Sequence, residues 1–300
     1  MKSVNTAHVP VIEVRTFDPS LSVPDAPGFA LKVISVVEMA WASGADIVLL
    51  PEFTWMGLEV FLEKKEPLDP HLRKVAQMFE EQCLPLIQEK LTRSDKAVVL
   101  GTTPALHTSG EIRNRSWIMS EGRWFFQEKL HLTPWESAFA PGQEILLWSF
   151  RELRCIVIIC LDIEVPELSA RLRDAELDLV LCPSATETIL GVERVNRCAS
   201  ARAVELGCYV AVSHLTGQTE SELIDENIGQ AAMYCPSQAA FQNRTREQQT
   251  PIISSGVQVI RTQLDLYPLT VMRRMRLETN PAALGKDLAG MERSIPLRWV

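Results

Sequence analysis

The stretch RCIVIICLDIEVPEL at positions 154–168 joins an apolar run to an acidic turn and a proline. The run from Arg154 to Cys160 is rich in β-branched residues and has no charge after its first residue, which predicts a strand buried on both faces. Pro166 is typical of the first turn of a helix. The stretch therefore predicts a strand, a tight turn and a helix, which is the repeating unit of an α/β protein.

Cys160 lies at this turn, and its thiol has two interpretations. A nucleophile at the tip of a strand, on a tight strand-to-helix turn, is an arrangement that enzymes use. The other interpretation is a cysteine that only fills the core, because free cysteine is among the most buried residue types. A thiol reacts as a thiolate and needs a base or a cation nearby, so the choice depends on which groups the fold brings beside it.

The rest of the chain alternates apolar strands with amphipathic helices. The patterns predict helices at 29–43, 71–90 (kinked at Pro85), 167–175 and 192–206, and strands at 45–51, 97–102, 177–182 and 208–213. Pairs of strand-like runs predict hairpins of 113–120 with 123–130, 145–150 with 153–160, and 229–235 with 256–265. A polar loop is predicted at 243–255, and a short last helix is followed by an irregular tail from Glu278. The alternation predicts a single α/β domain over residues 1–300, with parallel and antiparallel strand pairs.

Composition excludes several classes of function. A hydrophobic content of 46% and a net charge of −8 fit a soluble globular protein and argue against nucleic acid as the partner, since no cluster of basic residues is present. No apolar run reaches about 18 residues, and the first eight residues lack a signal-peptide core, so no membrane span is expected. The seven cysteines have no zinc-site spacing, which predicts reduced thiols in a cytoplasmic protein without a structural metal.

Two charged residues follow other predicted strands. Glu52 comes at the end of 45–51, where open α/β sheets gather their sites, although a surface acid would fit the pattern equally. Lys129 has aromatic and aliphatic neighbours, which predicts a buried ammonium that needs a carboxylate partner. Glu136 is the candidate for that partner or for a second catalytic acid, and a solvent-exposed lysine on a strand edge is the alternative for Lys129.

These residues have a combined chemical logic with Cys160. Glu52 would take the thiol proton and return it to a leaving amine. Lys129 would stabilise negative charge on a carbonyl oxygen, together with a backbone N–H beside Cys160. No histidine has an obvious papain-like context; His131 is the nearest in sequence to Lys129 and could equally be a structural neighbour.

Five stretches of the chain resemble the nitrilase superfamily of carbon–nitrogen hydrolases. They are GADIVLLPEF (44–53), EKLHLTPWESAFAPGQE (128–144), CIVIICLDIEVPELSARL (155–172), DLVLCPSAT (178–186) and ASARAVELGCYVAVSH (199–214). The resemblance extends over roughly residues 29–275 and places the family's catalytic Glu, Lys and Cys at Glu52, Lys129 and Cys160. It places the second glutamate of some branches at Glu136.

The resemblance implies an α-β-β-α sandwich, in which two mixed sheets are flanked by helices, and a homodimer or larger homo-oligomer. It also implies hydrolysis through a thioester acyl-enzyme without a metal or organic cofactor. Cys160-Leu161-Asp162 is similar to the amidase or carbamoylase branches, whereas nitrilases tend to carry Trp-Glu after the cysteine. The expected substrate is therefore a small linear amide or N-carbamoyl compound. Nitrile hydrolysis and a catalytically silent binding or scaffold protein are the alternatives.

Substrate contacts are predicted at Leu161, Thr186 and Glu187, although a polar loop is an equal interpretation of the last two. The roles of His131, Asp162 and His214 stay open between catalysis and structure.

Overall fold

A computed structural model describes residues 8–62, 67–219 and 221–275. Its helices are α1 Ala26–Ala42, α2 Leu68–Met78, α3 Leu84–Leu91, α4 Pro166–Leu172, α5 Ile189–Leu206 and α6 Leu266–Met275. Its strands are β1 Val11–Arg15, β2 Ile47–Leu50, β3 Ala97–Leu106, β4 Ile112–Ser120, β5 Arg123–Glu128, β6 Trp148–Phe150, β7 Leu153–Val157, β8 Leu179–Ser184, β9 Tyr209–His214, β10 Gly217–Gln218, β11 Glu226–Asn227, β12 Ala231–Tyr234, β13 Glu247–Gln249 and β14 Val259–Gln263. The tail predicted from Glu278 lies outside the described residues.

Twelve of these strands form two six-stranded mixed sheets with the same pattern. The first sheet has the order β14-β1-β2-β3-β4-β5, and the second has the order β13-β12-β9-β8-β7-β6. Three neighbouring strands in each sheet run parallel: β1, β2 and β3 in the first sheet, and β7, β8 and β9 in the second. The remaining pairings in both sheets are antiparallel. The predicted α/β class and mixed sheets are confirmed.

Alternation along the strands divides the apolar residues between two cores. On β2, Ile47 and Leu49 face the core between the two sheets, while Val48 and Leu50 face the core that α1, α2 and α3 cover. Successive side chains of a strand point to opposite faces, so one apolar strand serves both cores. Helix α5 packs against the second sheet, so the layers run helix, sheet, sheet, helix as the resemblance implied.

The predicted hairpin of 229–235 with 256–265 is wrong. β12 pairs with β9 and β13 in the second sheet, whereas β14 pairs with β1 in the first. The segment 243–255, predicted as a loop, contains the edge strand β13, whose sequence EQQ has no apolar alternation. β1 was not predicted either. The prediction paired two neighbouring segments that belong to different sheets, and the partner of β14 comes from the far end of the chain.

Two predicted elements have different bounds. β7 ends at Val157, and Cys160 begins a 3₁₀ turn over Cys160–Glu164 instead of ending the strand. The helix predicted at 71–90 is interrupted by a π-helical turn at Phe79–Cys83, just ahead of Pro85. Proline lacks an N–H and its ring crowds the carbonyl four residues earlier, so the α-helical ladder breaks before it.

None of the helices in the described ranges is both long and apolar enough to cross a lipid bilayer.

Candidate active site

The structure brings Glu52, Lys129, Glu136 and Cys160 to one place. Three of them come just after strands: Glu52 after β2 and Lys129 after β5 in the first sheet, and Cys160 after β7 in the second. All four are buried, with exposed fractions of 1% for Glu52, 2% for Lys129 and Glu136, and 6% for Cys160. The surface alternatives for Glu52 and Lys129 are therefore wrong.

Lys129 makes a buried ion pair with two carboxylates. Its Nζ lies 2.8 Å from Oε1 of Glu52 and 2.7 Å from Oε2 of Glu136. The predicted carboxylate partner, Glu136, is present, and Glu52 is a second partner. Removing two carboxylates and an ammonium from water is costly, and short charge-assisted hydrogen bonds are the condition under which such a group is tolerated.

Asn114 was missed by sequence reasoning and joins the two glutamates. Its Nδ2 donates to Oε1 of Glu52 at 2.9 Å and to Oε1 of Glu136 at 3.0 Å. Its backbone carbonyl oxygen accepts a hydrogen bond from the backbone N–H of Lys129 at 2.9 Å. The sequence carried one indication: Asn114 is a polar residue within β4, a strand that is otherwise mostly buried. A buried amide in a strand needs partners, and here both of its N–H groups are used.

A local turn aims Glu136 inward. The backbone N–H of Thr133 donates to Oε2 of Glu136 at 2.9 Å, and the Thr133 hydroxyl donates to the same oxygen at 3.0 Å. Pro134 sits at the first position of this short 3₁₀ helix, where a missing N–H costs nothing. Hydrogen bonds within the sequence TPWE therefore orient the Glu136 carboxylate without help from residues distant in the chain.

The backbone of Cys160 adopts a left-handed conformation, with φ of 47°. A non-glycine residue there costs on the order of 1–3 kcal/mol, a strain that is found most often at functional sites. The thiol Sγ lies 3.5 Å from the carbonyl oxygen of Ala185, whose N–H donates to Oε2 of Glu52 at 3.1 Å. The backbone of Ala185 thus contacts both Cys160, through its carbonyl oxygen, and Glu52, through its N–H.

Asp162 ties this turn to the segment that carries Lys129. Its carboxylate accepts hydrogen bonds from the N–H groups of Leu130 and His131 at 3.1 and 2.8 Å. His131 Nδ1 lies 2.8 Å from the same carboxylate. Asp162 is 2% exposed, and burial raises its pKa. These contacts of Asp162 and His131 hold the Cys160 turn against the backbone segment that carries Lys129.

Glycine at position 101 allows the chain to fold closely around Glu52. Gly101 has φ of 69°, and a Cβ there would overlap the carbonyl oxygen of Pro51 and the hydroxyl of Thr54. The next residue, Thr102, accepts a hydrogen bond from the N–H of Phe53 at 2.8 Å. β3 carries a register shift over the same residues, so the irregular strand cradles the Glu52 turn.

Replacement of Gly101 by alanine is expected to lower the free energy of unfolding by at least about 2 kcal/mol, because the new methyl group meets backbone atoms and the left-handed conformation is strained. Urea denaturation checks this value. Gly110 is the matched control, since it also has positive φ (85°) but has open space around its Cβ position. Equal destabilisation by Gly110→Ala would show that conformational strain alone, and not the close approach to Pro51, explains the effect.

Burial sets the protonation of the cluster. Burial raises the pKa of Glu52 to about 7, with a further increase from the Glu136 charge and an opposing effect of Lys129. Burial, followed by the Glu52 charge, raises the pKa of the Cys160 thiol well above its ordinary value, and Lys129 opposes this. Burial alone would lower the pKa of Lys129, but Glu52, Cys160 and Glu136 together raise it. The resting site therefore holds a neutral thiol, an ammonium ion and a carboxyl group able to change protonation near neutral pH.

The predicted substrate contacts differ in their setting. Leu161 follows the nucleophile candidate directly in the 3₁₀ turn and is half-buried. The Thr186 hydroxyl donates to the carbonyl oxygen of Ile228 at 2.8 Å, so it fastens one loop to another. Glu187 is largely exposed, and partial desolvation together with the charges of Asp225 and Glu226 raises its pKa. Contact of these residues with a substrate stays a prediction.

His214 is fully buried at the end of β9. Its Nδ1 lies 2.9 Å from the carbonyl oxygen of Gln230, and Nε2 has no hydrogen-bond partner within the described part of the chain. Burial lowers the pKa of His214 to about 4, so the ring is neutral at physiological pH. It makes no hydrogen bond to the four clustered residues in the described ranges.

Comparison with known proteins places this architecture in a class. Residues 14–259 match the family model described as carbon–nitrogen hydrolase. The match spans strands of both sheets and the helices between them. The chain belongs to the carbon–nitrogen hydrolase family.

Similar proteins include two curated relatives and a solved structure. The chain is 27% identical over 218 residues to a probable hydrolase, YhcX, of Bacillus subtilis (strain 168), covering 71% of this chain and 42% of that protein. It is 30% identical over 156 residues to an (R)-stereoselective amidase of Pseudomonas sp., covering 51% of this chain and 56% of that protein. The chain thus spans about half the length of the curated relatives it matches.

The structure of Nit3 from Saccharomyces cerevisiae, a member of branch 10 of the nitrilase superfamily, has the same fold. It superposes with a TM-score of 0.63 at 21% identity, and the match covers 90% of this chain and 95% of Nit3. This similarity confirms the predicted sandwich of two sheets.

Proposed function

We propose that the protein hydrolyses a small linear amide or N-carbamoyl compound through a thioester on Cys160, with Glu52 as the base and Lys129 as the oxyanion-stabilising cation. The observation that carries this proposal is the buried cluster itself, in which Lys129 bridges Glu52 and Glu136 beside a strained cysteine. The similarity to an (R)-stereoselective amidase supports the amide branch.

The first half of the reaction forms the acyl-enzyme. Glu52 takes the proton from the Cys160 thiol, and the sulfur attacks the carbonyl carbon of the substrate. The carbonyl oxygen becomes an oxyanion, which the Lys129 ammonium and the Leu161 N–H stabilise. Glu52 then gives its proton to the leaving nitrogen, the carbon–nitrogen bond breaks, and ammonia or an amine departs.

The second half returns the enzyme to its resting state. Water attacks the thioester carbon while Glu52 accepts a proton from it, and the tetrahedral intermediate collapses with cleavage of its carbon–sulfur bond. The product is a carboxylic acid, or a carbamic acid from an N-carbamoyl substrate, and Glu52 returns its proton to the Cys160 thiolate. Glu136 stays hydrogen-bonded to Lys129 and Asn114 throughout, which holds the ammonium over the reacting carbonyl. Its role in this scheme is to position Lys129.

The test is incubation of the purified protein with separate panels of amides, N-carbamoyl compounds and nitriles. Ammonia or amine release is measured together with the intact mass of the protein. Turnover of amides or carbamoyl compounds, with a thioester adduct mapped to Cys160, is the expected result. Turnover of nitriles alone would replace the amide assignment, and a protein that never reacts with any panel would favour the scaffold alternative.

The pH dependence of kcat/KM is expected to have an acidic limb near pH 7. The base must be ionised, and the pKa of Glu52 is about 7, so the rate falls up to tenfold per pH unit below that value. Glu136→Gln removes a nearby negative charge that raises the pKa of Glu52, so the limb is expected to move to lower pH. A limb that stays in place in the variant would contradict the coupling of the two glutamates.

Three further parts of the proposal are a homodimer, which the family resemblance implies, a cytoplasmic location, which the unpaired cysteines suggest, and a single domain over residues 1–300, which the alternation of strands and helices suggests. Light scattering of the purified protein tests the first, fractionation of expressing cells tests the second, and limited proteolysis tests the third.

A further inference from the structure

Asn114 contacts both carboxylates of the cluster through one amide nitrogen. Its side chain lies on β4 and is 1% exposed. Nδ2 donates one N–H to Oε1 of Glu52 and the other to Oε1 of Glu136. Oδ1 is buried and has no hydrogen-bond partner among the described residues. With the amide turned over, Oδ1 would face two carboxylate oxygens and repel them, so the two acceptors determine its orientation.

The two carboxylate oxygens of Glu52 have different partners. Oε1 accepts from Nζ of Lys129 at 2.8 Å and from Nδ2 of Asn114 at 2.9 Å. A carboxylate oxygen offers two lone pairs, so these two donors occupy Oε1. Oε2 accepts from the N–H of Ala185 at 3.1 Å, and the carbonyl oxygen of Ala185 lies 3.5 Å from Sγ of Cys160. Oε2 therefore keeps one lone pair available, next to the backbone that contacts the thiol.

We propose that Asn114 is a positioning residue, which keeps Oε1 of Glu52 as a hydrogen-bond acceptor so that Oε2 exchanges the proton with Cys160. This inference rests on the proposed function, in which Glu52 is the base. In the first step the S–H bond of Cys160 breaks and an O–H bond forms on Oε2. The same proton then passes from Oε2 to the leaving nitrogen, and Asn114 itself exchanges none.

Loss of the Asn114 amide changes the pKa of Glu52 in a known direction. A hydrogen bond donated to a carboxylate favours the ionised form, so its removal raises the pKa of Glu52 above the value of about 7 found with the amide in place. The other titratable groups near Glu52 come from four places: Lys129 after β5, Glu136 in its 3₁₀ turn, Cys160 after β7 and Cys182 on β8. None of them is altered when Asn114 alone is replaced.

The pH profile of kcat/KM in Asn114→Leu tests the proposal, with the substrate that wild type turns over best. Leucine has a similar volume and removes both N–H donors. The acidic limb is expected to move up by about one pH unit, a loss of about tenfold in rate at pH 6. Glu136→Gln is expected to move the same limb down. Asn196→Leu is the matched control, because Asn196 is 5% exposed and bonds to Val192 and Tyr234 outside the cluster; its limb should match that of wild type.

Alkylation of Cys160 by iodoacetamide makes the test independent of turnover. The thiol must lose its proton here too, so the rate has the same acidic limb, and peptide mapping locates the product. If wild type hydrolyses nothing, the amidase assignment fails and the alkylation limb still decides the role of Asn114.

Asn114→Asp keeps the shape of the side chain and serves if Asn114→Leu does not fold. Its limb should also lie above that of wild type, because an added acid favours the protonated form of Glu52. An unmoved limb in a folded variant at position 114, or an equal displacement in Asn196→Leu, would overturn the proposal.

Discussion

Replacement of Cys160 by alanine is expected to reduce hydrolysis by at least about 10⁴-fold, because removal of a nucleophile leaves only binding and electrostatic effects to assist attack by water. The residual rate is measured by ammonia or amine release on the substrate that wild type turns over best. Intact mass after quenching is expected to show an acyl adduct on wild type and none on the variant. Retained activity in Cys160→Ala would remove the thioester mechanism altogether.

Cys155→Ala is the matched control for this experiment. Cys155 lies on β7, five positions before Cys160, and is fully buried in the core between the sheets. Its loss creates a small cavity and costs some stability, but leaves every contact of Glu52 and Lys129 in place. Activity comparable to wild type in Cys155→Ala would show that the loss in Cys160→Ala comes from chemistry and not from core packing.

The βα units could be predicted because each is fixed by local patterns. β2 is a continuous apolar run bounded by polar residues, and the helix α1 before it follows a period of 3.6, so both can be read from the local sequence. β13 and β1 could not be predicted in the same way. β13 is three polar residues at a sheet edge, and β1 pairs with β14 from the far end of the chain, so neither carries a local indication of its partner.

The residues of the candidate site also differ in whether the local sequence indicates them. Glu52 and Cys160 follow strands whose ends are readable, and the neighbours of Lys129 indicated its burial. Asn114 could not be predicted as a bridge, because its two acceptors lie 62 and 22 positions away in the chain. The left-handed backbone of Cys160 is likewise a product of the whole fold, since cysteine has no intrinsic preference for it.

Replacement of Lys129 by methionine is expected to lower the free energy of unfolding by about 3–5 kcal/mol at pH 8, the cost of leaving buried charge without its partner. Glu52 and Glu136 would then face each other across Asn114 with no cation between them. Activity is expected to fall at least about 10²-fold as well, since the oxyanion loses its charged partner. Urea denaturation and amide turnover measure the two effects.

The pH dependence of this loss distinguishes an electrostatic cause from a packing defect. Lys129 opposes the increase in the pKa of Glu52, so without it the folded-state pKa of Glu52 rises above the value of about 7 found in the intact cluster. A carboxyl group whose pKa is higher in the folded than in the unfolded state binds more protons when folded, so its contribution to stability falls as the pH rises. The destabilisation by Lys129→Met should therefore be small near pH 5 and grow through pH 7 to pH 8.

Charge-matched variants complete the argument. Glu136→Gln in the Lys129→Met background removes the negative charge that faces Glu52. It is expected to recover more of the lost stability at pH 8 than at pH 5, because at pH 5 Glu52 is already protonated and does not repel its neighbour. Amide turnover should stay low, because the oxyanion still lacks Lys129. A loss of stability that is the same at pH 5 and pH 8, and that Glu136→Gln does not reduce, would mean that Lys129 acts by filling space and not by balancing the charges of Glu52 and Glu136.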